Sequence, residues 1–233
     1  MAGLLDVATL LTGDGSWMHG YEVDALACGR EFDIVDICTP GPPPDADDSL
    51  TGYKVVPFAL VSQQRFGARC APDDAWSSLV DATDSATENM VADVFYNGDN
   101  AINSVNPWDG EMWLESTDVN VVTAGTDTAE TVGKVLIESS DNNPELTEPI
   151  LHLGVQSAIH LGAGLANLDI EDIVVSPAYP ADAVAVTGPV LVRISDIQSL
   201  ITHQESTNRR YYEATRLAVV EFDPCLATRA ATT

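Results

Sequence analysis

The chain has 233 residues, 36 of them acidic and ten basic, for a formal charge of -26 at neutral pH. Its length buries a substantial core, as one large domain or two small ones. Hydrophobic residues make up 45% of it, so the acids are not those of a disordered tail. No apolar run reaches the roughly 18 residues of a membrane-spanning helix, and so few cations exclude a general phosphate-neutralising surface.

The opening MAGLLDVATLLTGDG lacks the basic start of a secretory signal and carries Asp6 within its apolar stretch, so it reads as ordinary structure. Tyr21 to Leu26 and Phe32 to Ile37 alternate apolar and polar residues, the period-two pattern of half-buried strands. The proline-rich acidic stretch from Thr39 to Asp48 predicts an exposed loop. Lys54 to Val61 predicts a further strand, with Pro57 marking an edge or a bulge.

The strongest helix signal runs from Pro72 to Tyr96. Trp76, Leu79, Val80, Thr83, Met90, Val91, Val94 and Phe95 fall largely at helical spacing and give one apolar stripe. Asp73 and Asp74 are placed to cap its start, and Asn97-Gly98 to end it. At about 1.5 Å per residue it would span some 35 Å. Residues 97–124 read as loop, with Trp108 and Trp113 beside an Asn-Pro-Trp-Asp-Gly turn.

A second helix is predicted from Asp127 to Ser139, with Val132, Val135 and Leu136 inward. Ile150 to Val155 reads as a buried strand, Gln156 to Leu161 as a short helix, and Asp172 to Ser176 as a strand stopped by Pro177 and Pro180. Val184 to Ile194 predicts one strand with Val184, Val186, Val190, Val192 and Ile194 on a single face. After a polar connection through His203 and Asn208, Arg210 to Phe222 forms a second strand able to pair with it antiparallel. The fold class is α+β, divided into a strand-and-loop region over 1–71 and an α+β core over 72–233 that holds the helix at 72–96 and the β segments of 172–222.

Spread over one folded body, this much like charge repels itself. The repulsion becomes tolerable when salt near 1 M shrinks the Debye length to about 3 Å. The charge therefore predicts a protein that works in multimolar salt, made by a halophilic microbe or its virus. Arg193, Arg209, Arg210, Arg216 and Arg229 gather near the C-terminus and are expected to face acidic neighbours.

Motifs for catalysis are missing. His152 and His160 have no carboxylate at a diagnostic spacing and are expected beside the core as satisfied polar residues. His19, in Gly13-Asp-Gly-Ser-Trp-Met-His-Gly, belongs to no phosphate-binding pattern, and no nucleophile elbow or zinc-protease motif occurs. The Asp45, Asp47, Asp48 cluster reads as a solvated loop. Cys28, Cys38, Cys70 and Cys225 match no zinc spacing. Cys28 and Cys38 are a candidate disulfide across a hairpin, Cys70 and Cys225 pair only if the fold unites distant segments, and buried free thiols are the alternative. The reading is of a non-enzyme with no cofactor or metal; the competing classes are a halophilic enzyme and a surface binding module.

One resemblance sharpens this reading. An Ile-Val-Val strand, the turn Ser176-Pro177-Ala178-Tyr179-Pro180, the run Gly188-Pro189-Val190-Leu191-Val192-Arg193, Asn208, and a closing strand through Arg216-Leu217-Ala218 follow one another. This order resembles the closing segment of tailed-phage major capsid proteins, a fold shared with encapsulin-type shells. Cys28, Cys38 and Phe66-Gly-Ala-Arg-Cys70 also look like phage structural proteins of actinobacterial viruses. The resemblance implies a shortened capsid fold with 72–96 as its spine helix, and a virion protein of a tailed virus that self-assembles as a shell subunit. A tail, baseplate, vertex or turret protein is the alternative place. It implies as partners copies of itself and other virion proteins, without sequence-specific nucleic-acid or membrane binding, and assembly in the host cytoplasm. Trp76, Met90, Phe95, Arg193, Arg209, Arg210 and Arg216 are the candidate assembly contacts.

Overall fold

The computed structural model describes residues 2–13, 17, 21–25, 51–55, 57–67, 72–98, 113–144, 146–204 and 209–231, with the backbone alone for 21–25, 51–54, 203 and 204. The expected strand at 32–37, the loop at 39–48 and the Cys28–Cys38 pair lie outside these residues, as do His19 and Cys70.

Two five-stranded sheets organise the chain. The first contains β1 (Thr9–Thr12), β4 (Phe58–Gly67), β9 (Leu191–Ile194), β10 (Gln198–Gln204) and β11 (Arg209–Glu221). The second runs in the order β5 (Asn120–Val122), β12 (Thr228–Ala230), β8 (Val184–Thr187), β6 (Ile150–Gly154) and β7 (Asp172–Ser176). A separate antiparallel pair joins β2 (Tyr21–Ala25) to β3 (Thr51–Val55). Helices α1 (Leu4–Val7), α2 (Ala75–Asn97), α3 (Thr128–Asn142) and α4 (Val155–Leu161) accompany the sheets, so the α+β class holds.

The long helix forms where its apolar spacing predicts, over 23 residues. Its buried stripe repeats every four residues: Ala75, Leu79, Thr83, Thr87, Val91 and Phe95. The buried hydroxyls are satisfied within the helix, Thr83 Oγ1 donating to the Leu79 carbonyl and Thr87 Oγ1 to that of Thr83. The helix stops at Gly98, whose φ of 52° is left-handed, and a Cβ there would collide with the Trp113 ring. Capping at the other end departs from expectation. Asp74 makes no side-chain cap bond, because its backbone (φ -97°, ψ 7°) is not the extended one a capping residue uses. On α3 the cap is made: Asp127 accepts from the Glu130 amide at 2.8 Å, and Glu130 reaches back to the Thr126 amide.

Three strand expectations are corrected. The run from Val184 to Ile194 is two strands, because Gly188 and the donor-less Pro189 interrupt it. Val184 and Val186 enter the core of the second sheet, Val190, Val192 and Ile194 that of the first, so they do not line one face. Lys54 to Val61 is likewise divided near Pro57 into β3 and β4. The connection through His203 contains β10, antiparallel to β11 from Gln198↔Thr215 to Gln204↔Arg209. The expected antiparallel pairing of the last two segments is real, from Ala218↔Ile194 to Glu221↔Leu191.

The main core lies beneath the C-terminal half of α2, where Val91, Phe95 and Tyr96 meet Val192, Val219, Phe222 and Ile150. The N-terminal segment touches both sheets: Ala2 bridges to Val174 of β7, and β1 runs parallel to β9. Glu88 of α2 fixes it by accepting the amides of Leu4 at 2.5 Å and Leu5 at 3.0 Å. These two bonds satisfy orphan donors at the start of α1.

Candidate assembly surface

His152, on β6, is fully buried against Phe95 and Tyr179. Thr187 Oγ1 donates its proton to the Gly188 carbonyl at 2.8 Å, so at 2.9 Å it accepts from His152 Nε2. That tautomer leaves Nδ1 to accept from the Tyr179 hydroxyl at 3.3 Å. Burial pushes the imidazole pKa down to about 3, so it is neutral. No carboxylate hydrogen-bonds to it, and its two partners are hydroxyls, which suits a core residue. His160 is different from expectation: it lies exposed on α4, 3.4 Å from Thr128 Oγ1. Among the described residues no three His, Cys, Asp or Glu side chains converge as a metal site requires, and no helix is long and apolar enough to cross a membrane.

The predicted contact residues separate into inner and outer sets. Phe95 is a correction: with 0% of its surface exposed and Phe222 and His152 against its ring, it has nothing to offer a partner. Met90 and Trp76 are half-buried against the cores. Arg216 turns inward onto α2, its Nη1 2.7 Å from Asp84 and 3.1 Å from Thr87 Oγ1. Arg193 is half-buried and has a partner within the chain. Arg209 and Arg210 are exposed. Cys225 is disulfide-bonded rather than free.

Exposed Arg209 and Arg210 begin a three-stranded ribbon in which β11 pairs with β4 on one side and β10 on the other. Tyr212 and Ala214 of β11 are buried on Ala75 and Leu79 of α2, with Phe66 edge-on to Tyr212. Side chains alternate along a strand, so Arg209, Tyr211, Glu213 and Thr215 occupy the opposite face. Arg65 stands beside Tyr211 in the register, and Gln63 beside Glu213, to which it donates at 2.7 Å. Sequence reading missed this face because β10 was hidden in a polar stretch. Its signal was faint: Leu200, Ile201 and Thr202 are strand formers flanked by Gln198 and Gln204.

No protein-family model and no curated protein matches the sequence. Solved structures do match the fold. The chain is similar to the virus-like particle from Pyrococcus furiosus, with TM-score 0.66 and 10% identity over 99% of this chain and 92% of that one. It is similar to the capsid of a native GTA particle, with TM-score 0.62 and 13% identity over 98% and 89%. It is also similar to the capsid of Myoviridae phage XM1, with TM-score 0.61 and 9% identity over 99% and 91%.

Proposed function

The chain has the fold of tailed-phage capsid and encapsulin-like shell proteins, and we propose that it is itself a virion structural protein, a shell subunit assembling from copies of itself. The observation that carries this is coverage. The alignment with the Pyrococcus furiosus particle takes in 99% of this chain and 92% of that one, so almost no part is left to serve a different purpose. The interior is consistent with this, since the fully buried His152 is a neutral imidazole held between two hydroxyls. That the similar chains come from capsids and a virus-like particle favours the shell over a tail or vertex position.

The charge of -26 supports a virus whose host accumulates salt. At about 1 M salt, charges more than about 3 Å apart hardly interact, so the surface repulsion between copies is suppressed and buried apolar area holds them together. Light scattering on size-exclusion fractions across potassium chloride concentrations tests both parts. Multi-subunit particles that form in multimolar salt and dissociate as salt is withdrawn are the expected result. A monomer at every salt concentration refutes the assembly reading, and particles indifferent to salt refute the halophilic one.

A further inference from the structure

The ribbon of β4, β11 and β10 has two unlike faces. One rests on α2 through Tyr212, Ala214 and Arg216. The other carries no described element, and it concentrates positive charge on a strongly negative chain. The register sets Arg65 beside Tyr211 and Arg209 beside Gly67, so both arginines leave this face as diagonal neighbours, at a Cα separation of about 7–8 Å.

Neither forms an ion pair with a described residue, although Glu213 stands on the same face, where it takes the Gln63 amide instead. Two guanidiniums on one face can both be met by carboxylates of a single partner. Arg65, Thr202, Tyr211 and Glu213 also line an open depression of about 720 Å³. Exposed apolar side chains share the face: Val61 is 44% exposed and Leu200, beside Glu213 in the register, 57% exposed. Among the described residues β4 and β10 each pair on one side only, so this face lies between two unpaired edges.

We propose that this face, centred on Arg65 and Arg209, docks onto carboxylates of a second copy of the chain. The inference rests on the shell-subunit reading and names one of its contacts. Charge complementarity selects the occupant: with 36 acids against ten cations, the surface presented by another copy is carboxylate-rich. Guanidinium forks match carboxylates in bidentate geometry. Burial of Val61 and Leu200 supplies attraction that salt does not screen, while the arginines fix which carboxylates are met and in what register.

The test compares wild-type protein with the double variants Arg65→Glu/Arg209→Glu and Arg65→Gln/Arg209→Gln. Assembly is read by light scattering, folding by circular dichroism melting, and nucleic-acid content by the ratio of absorbances at 260 and 280 nm. Wild type is expected to assemble. The Glu pair is expected to melt like wild type yet to need about tenfold more protein to assemble, a loss of about 1.4 kcal/mol per contact; the Gln pair falls between. If the Glu pair does not fold, the Gln pair is read in its place, since neutral side chains at exposed positions leave the sheet intact.

Folded variants that assemble at the wild-type concentration overturn the proposal and leave the shell reading standing. Variants that assemble normally but carry less nucleic acid also overturn it, and give the face to nucleic acid. If wild type itself stays monomeric, the shell reading fails and this contact fails with it.

Discussion

His152 should make the protein lose stability in mild acid, and the loss can be worked out. Its pKa is 6.5 in an unfolded chain and about 3 in the folded one, with burial as the cause. Between these values the unfolded state holds a proton that the folded state lacks, so stability is full above pH 6.5 and falls as pH falls toward 3. The slope reaches about 1.4 kcal/mol per pH unit, and the loss accumulated between pH 8 and pH 5 is about 2 kcal/mol. Carboxylates complicate a single curve, since protonating them relieves repulsion among 36 acids. Comparison with His152→Gln, which keeps a donor and an acceptor toward Thr187 and Tyr179, removes that contribution. Urea unfolding at constant salt, at several pH values from 8 to 5, should show the wild-type advantage shrinking by about 2 kcal/mol. An advantage that does not change with pH refutes the assignment of a buried neutral imidazole.

Other consequences concern packing and the N-terminal segment. A Cβ on Gly154 would collide with the carbonyls of Pro180 and Ala181 where β6 turns into α4; Gly154→Ala should cost about 3 kcal/mol in denaturant unfolding. Phe95→Ala should cost about 3–5 kcal/mol by the same measurement, since its ring is enclosed by Phe222, His152 and Tyr179. Glu88→Ala leaves the Leu4 and Leu5 amides without their acceptor. Amide exchange at those two residues should quicken, with a global loss of about 1–3 kcal/mol.

Helical and short-strand periodicities were readable because they depend on near neighbours. The stripe from Leu79 to Phe95 and the alternation in Tyr21 to Ala25 each produced the element expected. Reading failed where the deciding interaction is distant. Gly188-Pro189 marks a break locally, but nothing local in Val184 to Ile194 says that the chain passes there from one sheet to the other. Nor does the polar stretch around His203 reveal that β11 supplies a partner for β10. Among the contact residues, Phe95 looked available because a helix stripe says which side chains are apolar, not how deeply a sheet covers them. Arg209 was legible as an unusual cation, whereas Arg65 acquired meaning only once the β4–β11 register set it on the same face.

The central claim is that copies of this chain close into a shell. Electron cryomicroscopy of the protein purified in multimolar potassium chloride tests it most directly. Closed particles whose repeating density accepts this subunit, with α2 and both sheets in place, are the expected result. A homogeneous monomer, or particles whose repeating unit the two-sheet subunit does not fit, contradicts it.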